Sequence, residues 1–305
     1  MSEAKKKKLR KRNIFIILML AVPLARFILG QFLNANMIIM AFNDYTMGAK
    51  HPEFIGLENF AGVLRLFDTS KIQHEWTAVG NSFSIFFLTL FVNAPISLAF
   101  AYLLYIKVPG HKWMRVVLYF PIILSAVVEV LVFKSFFTSG PMDIIYSKLG
   151  IFDKLPSEGW LGPNTAWNTI LIFSVWSGIS GNLVYFLAFM TRIPTELVEA
   201  AKIDGASQPR VFFSIVLPIV SSSVTTIVSL SVAGIFSWAM PSFLFMDSSY
   251  GVNNTGTLGL SIMNYTVAKN YGIGAAYGVL LSLIATPITL GCRALGKKIS
   301  VEVEY

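Results

Sequence analysis

The sequence predicts an all-α, polytopic membrane protein with about six transmembrane helices. Three observations carry that prediction: a shortage of charge, a series of long apolar runs, and a lopsided distribution of lysine and arginine. Apolar residues make up 55% of the 305 residues and charged residues 13%, against roughly 25% charged in ordinary soluble domains. A soluble chain of this length needs a charged surface, and this one has too few charges to cover it. Lipid must therefore supply much of its solvent.

A helix needs about 20 apolar residues to cross a hydrocarbon core about 30 Å thick. Six segments meet that length, running from Asn13 to Met40, Val79 to Ile106, Trp113 to Phe137, Ala166 to Met190, Phe212 to Phe236 and Ile273 to Leu295. Pro23 and Arg26 make the first the least regular. Pro95, Pro121, Pro218 and Pro287 are candidate kinks or helix starts.

The net charge of +8 is concentrated rather than spread. Lys5, Lys6, Lys7, Lys8, Arg10, Lys11 and Arg12 directly precede the first apolar run, which reads as an anchor against anionic lipid and not as a nucleic-acid surface. If the N-terminus is inside, the inner segments hold sixteen Lys and Arg residues and the outer segments six. That bias predicts both termini in the cytoplasm and an even number of spans. The basic head and apolar run also resemble a secretory signal, but the run is too long and lacks an A-x-A site, so an uncleaved first helix is expected. Residues 1–12 then form a basic cytoplasmic N-terminus and 13–305 one transmembrane domain. The single cysteine, Cys292, excludes an intramolecular disulfide or a cysteine-cluster metal site.

Among the outer segments, HPEFIGLENFAGVL reads as a short amphipathic piece suited to the membrane interface, and Asn253 to Asn270 carries glycine and asparagine turn signals. The inner segment between spans four and five is charged and alanine-rich. Pro194 suits a first helical turn, Glu196 and Glu199 favour a helix N-terminal half, and Asp204-Gly205 supplies a turn where φ above zero is cheap. A short helix ending near Ile203 follows. Ser207 then caps a second helix that carries Pro209 in its first turn and feeds the fifth span. Leu197 and Ala201 share one face of the first helix, with Glu199 and Ile203 on the other. Such a helix needs a host, either its own bundle or a partner.

Glu199, Ala200, Ala201, Gly205, Ile215, Leu217 and Pro218 spell E-A-A, three residues, G, nine residues, I-x-L-P. This resembles the EAA motif of permeases from binding-protein-dependent ABC importers. The flanking IPTELVEAAKIDGA is similar to the sugar-permease branch. EFIGLENF, RVVLYFPIILSAVV and NNTGTLGLSIMNYTVAKNYGIGAAYGV resemble the first of two paired sugar permeases, so the likeness covers roughly residues 53 to 290. One departure is Asp143, in GPMDIIYSKLGI, where the family usually has asparagine. The resemblance implies that residues 194–208 form a coupling helix seated in a groove of a cytoplasmic ATPase. Glu199 would be its polar contact, Ala200 and Ala201 would permit close approach, and Gly205 would make the bend. It further implies a bacterial cytoplasmic (inner) membrane setting, a second homologous permease, two ATP-binding subunits and an external solute-binding protein. The chain has no G-x-x-x-x-G-K-[ST] run, so ATP and Mg are expected in partner subunits and no chemistry in this one.

Within the membrane, Ser174, Gly178, Gly181, Asn182 and Tyr185 fall on one stripe of span four, and Ser231, Gly234, Trp238 and Pro241 on one of span five. Hydroxyl and amide groups exchange hydrogen bonds with sugar hydroxyls, and an aromatic face covers a pyranose. Neither stripe holds a cluster of cations, which favours a neutral substrate. Small residues at this spacing also pack membrane helices, and Gly274, Gly278, Ser282 and Thr286 in span six read that way first. Intramembrane charge is costly and often functional, which makes Glu129 a site candidate. Lys134, nearer the outer end, is placed to snorkel. Two other classes stay open: a permease for another polar solute, and an ion-coupled secondary transporter, which would show more intramembrane carboxylates or inverted repeats. His51, His74 and His111 are too scattered for a metal or catalytic centre.

Overall fold

A computed structural model describes residues 3–45, 52–68, 74–138, 159–247 and 252–299. His51 and the segment 139–158, with Asp143, lie outside them. Helix α1 spans Glu3–Ala41, so the basic head and the first apolar run form one helix that contains Pro23. A two-residue antiparallel ladder pairs Asn43 with Phe54 and Asp44 with Glu53. Helix α2 (Glu58–Leu66) follows, and its Asn59 amide donates to the carbonyls of Ala41 and Asn43 at 3.1 and 2.9 Å. The expected interfacial piece is thus folded onto the end of α1.

Next come α3 (His74–Leu88), a π-helical turn (Thr89–Asn93) and α4 (Ala94–Tyr105), together one long span. Each π turn ends two residues before a proline, Thr89–Asn93 before Pro95 and Phe212–Val216 before Pro218, at sites where the missing N–H and the bulky ring spoil the regular ladder. Then follow α5 (His111–Ile123), α6 (Ala126–Thr138), α7 (Ala166–Met190) and α8 (Thr195–Ile203). The chain continues through α9 (Gln208–Val211), the second π turn, α10 (Leu217–Ile219), α11 (Ser221–Ile235) and α12 (Met240–Met246). Helices α13 (Leu258–Val267) and α14 (Tyr271–Ile299) complete it.

Among the described residues, three segments are long and apolar enough to cross a membrane unbroken: Glu75–Tyr105, Ala166–Met190 and Tyr271–Gly296. The expected third span is instead a bent pair, His111–Ile123 and Ala126–Phe137, at 111°. Its cause is local. Pro121 weakens the end of α5, Leu124 turns extended at ψ 150°, and the Ser125 carbonyl accepts from the Glu129 N–H at 2.8 Å to restart the helix. The expected fifth span is likewise two pieces, Gln208–Ile219 and Ser223–Ile235, bent by 64°. Asn253 to Asn270, expected as turns, contains α13, whose Thr257 hydroxyl accepts from the Leu260 N–H at 3.2 Å as an N-cap.

Apolar packing gathers at three levels. At the end nearest α8, Tyr102, Leu183, Phe186, Met190, Val198, Val211 and Val216 form one core. At the far end Ala41, Val63, Ile235, Leu258 and Tyr277 form another, and Val130, Ile170, Phe173 and Phe245 join α6, α7 and α12. The far end also holds a buried carboxylate. Glu75, 8% exposed, accepts from Ser261 Oγ at 3.0 Å and Tyr277 OH at 2.7 Å, tying α3 to α13 and α14. The Asn81 amide donates to the Asn254 and Gly256 carbonyls at 2.6 and 2.8 Å, fixing the loop before α13. A cavity lies between these levels.

Candidate functional site

The cavity holds about 590 Å³ and is walled by α3, the first π turn, α6, α7, α11 and the link into α12. Ser174, Gly178, Gly181, Asn182 and Tyr185 of span four line it, as do Ser231, Gly234, Trp238 and Pro241, and Glu129 of α6. The span-five set is not a single helical stripe. Helix α11 ends at Ile235, so Trp238 lies in the link and Pro241 in α12, and the turn swings both back over the cavity. The 111° bend performs the same service for Glu129. It places the first turn of α6 against α7, where the carboxyl meets the Ser177 hydroxyl.

Around this space Asn93 Oδ1, Glu129 Oε1 and Asn182 Nδ2 are buried without a hydrogen-bond partner among the described residues. An unsatisfied buried polar group costs about 1–3 kcal/mol, so water or a hydrogen-bonding solute that enters this space stabilises these atoms. Two of the three are acceptors and the third a donor. A hydroxyl group, which donates and accepts, satisfies either kind. Trp238, Phe86 and Phe173 add aromatic surface, and Glu129 is the one charged side chain among the described lining residues.

Asn93 escaped the sequence reading. It is 1% exposed, and its Nδ2 donates to the Ser174 carbonyl at 3.0 Å. An asparagine in the middle of an apolar span, two residues before proline, was the available signal. Gly178 faces the same side chain, and a Cβ there would collide with the Asn93 amide. Gly178 is therefore a close-packing position as well as a lining one. In span six Gly274 packs against Tyr265 and Thr266, while Ser282 and Thr286 bond back to carbonyls four residues earlier at 2.7 Å and line no part of the cavity. Lys134 does not reach out alone: its Nζ meets Asp247 Oδ2 at 2.6 Å.

The α8 elbow lies at the other end of α7. Pro194 is its N-cap, and the helix closes in a Schellman arrangement, with Ala206 N–H to Ala201 O at 2.9 Å and Gly205 N–H to Lys202 O at 3.1 Å. That closure requires the positive φ of Gly205, 78°. Ser207 occupies the N-cap position of α9 without forming the expected side-chain bond. Val198, rather than Leu197, joins Ala201 on the face packed into the bundle. Leu197 (44% exposed) and Ile203 (86% exposed) lie outward with Glu199 and Ala200. One face of the elbow is thus hosted by its own chain while the other is bare.

The molecule is a bundle of long apolar helices, with a mainly apolar cavity that a few polar side chains enter and a short helical elbow at one end. Residues 93–301 match the family described as "Binding-protein-dependent transport system inner membrane component", and the chain belongs to it. It is 29% identical over 274 residues to the arabinooligosaccharides transport system permease protein AraP of Halalkalibacterium halodurans, covering 86% of this chain and 81% of that one. It is 28% identical over 291 residues to the multiple sugar-binding transport system permease protein MsmF of Streptococcus mutans, covering 94% and 95%. Its fold is similar to that of a chain from a bacterial ABC transporter involved in the import of the acidic polysaccharide alginate, with TM-score 0.77, 18% identity, and 97% and 100% of the two chains covered. The protein is accordingly a multi-pass inner-membrane component of a transport system, and its relatives are permeases, not enzymes.

Proposed function

We propose that this chain is the permease subunit of an ATP-driven importer of a neutral sugar or oligosaccharide. It receives substrate from an external solute-binding protein and works with a second homologous permease and two ATP-binding subunits. Family membership over residues 93–301 carries the reading. It also displaces the ion-coupled alternative. The sugar class is supported by what the relatives transport and by a cavity whose open hydrogen-bonding atoms suit hydroxyl groups. Ser174, Gly178, Asn182, Tyr185, Ser231, Trp238 and Glu129 belong to the path. Glu199, Ala200, Ala201 and Gly205 couple it to the ATPase, which holds ATP and Mg.

Two experiments test this. With both termini in the cytoplasm, an impermeant thiol reagent applied from outside modifies Asn254→Cys and spares Gly205→Cys in a Cys292→Ser background. The reverse pattern removes the docking argument. In proteoliposomes, uptake of an arabino- or malto-oligosaccharide requires the ATPase and the binding protein, and Asn182→Leu lowers it. Losing one hydrogen bond from a desolvated hydroxyl costs about 1 kcal/mol or more, roughly fivefold in rate, with assembly preserved. Uptake by the purified chain alone, driven by an ion gradient, overturns the proposal. Unchanged uptake in Asn182→Leu removes Asn182 from the path.

A further inference from the structure

We propose that Glu129 is the charge-selecting residue of the cavity, admitting neutral and cationic solutes and turning anionic ones away; this rests on the reading of the cavity as the substrate path. Among the described residues, the carboxylates Glu75 and Glu129 both lie within the helical bundle, and they are treated differently. Glu75 accepts hydroxyl hydrogen bonds from Ser261 at 3.0 Å and Tyr277 at 2.7 Å and is packed among the far-end helices. It is a structural tie whose lone pairs are engaged by its own chain. Glu129 meets the Ser177 hydroxyl, and its Oε1 is buried on the cavity with no hydrogen-bond partner among the described residues.

No Lys, Arg or His is among the described residues lining the cavity. The nearest cation along α6, Lys134, is engaged with Asp247 at 2.6 Å and so does not offset Glu129. In its ionised form, a carboxylate with no counter-charge among the described lining residues sets the sign of the local potential, because field lines are focused where the surrounding dielectric is low. A second carboxylate brought in on a solute finds no counter-charge and a like charge within the same space. A hydroxyl or ammonium finds an open acceptor. The fold alone sets no such preference, since a transporter of the same fold takes an acidic polysaccharide. The choice falls to the lining side chains, and here the charged one is Glu129.

The test reads local charge without needing the natural substrate. In membrane vesicles holding the assembled importer, Ser237→Cys on the cavity wall is introduced into Cys292→Ser. It is then modified with three methanethiosulfonates carrying trimethylammonium, sulfonate or an uncharged methyl group. The cation-to-anion rate ratio, taken relative to a free small thiol, is expected to exceed one and to fall by about tenfold in Glu129→Gln. The uncharged reagent corrects for any change in access, and Glu129→Asp is expected to keep the preference. An unchanged ratio in Glu129→Gln overturns the assignment of Glu129 while leaving the path intact. If none of the three reagents modifies Ser237→Cys, the cavity is closed to solutes, and the path reading falls together with this proposal.

Discussion

Gly205→Val is expected to abolish copurification of the ATPase and substrate-stimulated ATP hydrolysis while leaving insertion in the membrane intact. Gly205 sits at φ 78°, and a Cβ built there meets nothing within 4 Å, so the damage comes from the backbone alone. A non-glycine residue in the left-handed region costs about 1–2 kcal/mol, and a β-branched one fits it worst. The α8 cap would open, releasing the Ala206-to-Ala201 and Gly205-to-Lys202 bonds that set the angle between α8 and α9. Gly205→Asn, which tolerates positive φ, should be milder. Glu199→Lys reaches the same readout by another route. The side chain is exposed on the bare face of the elbow, and reversing its charge sets a like charge against whatever cation it meets. Normal assembly and stimulation in both Gly205→Val and Glu199→Lys would reduce the elbow to an ordinary loop.

Gly259→Val is expected to lower the melting temperature of the purified complex sharply and to impair uptake. Here the obstacle is space. A Cβ on Gly259 would stand 2.8 Å from the Ser237 carbonyl carbon and 2.8 Å from the Trp238 carbonyl oxygen, both backbone atoms that cannot rotate aside. Overpacking of this kind typically costs about 1–3 kcal/mol and occasionally more. The segment displaced is the cavity wall itself, since the Thr257 hydroxyl donates to the Trp238 carbonyl at 2.5 Å and holds α13 against the link that carries Trp238. Gly278→Ala, where nothing lies within 4 Å, shows the effect of a Cβ in open space and should leave the melting temperature nearly unchanged, whereas Gly259→Ala should already lower it. Equal melting temperatures for the two alanine variants would show that the α13 contact bears no stability.

Much of this was legible along the chain because a membrane imposes simple rules. Apolar runs of fixed length mark helices, and the Asp204-Gly205 step marks a helix end whatever surrounds it. The stripe from Ser174 to Tyr185 was readable because α7 is one unbroken helix, so spacing alone decides which side chains share a face. Glu129 and Trp238 were visible as residues but not as neighbours. Their approach depends on the 111° bend after Pro121 and on the turn after Ile235, and composition gives no angle for either. Asn93 was hidden for a related reason, since its role arises from contact with Ser174 and Gly178, residues 81 and 85 positions away. The sequence by itself determined the solvent, the helices, the elbow and the family resemblance, because those follow from local pattern and side-chain chemistry. Tertiary structure alone decided where the broken helices turn, and so which polar side chains from separate helices line one cavity.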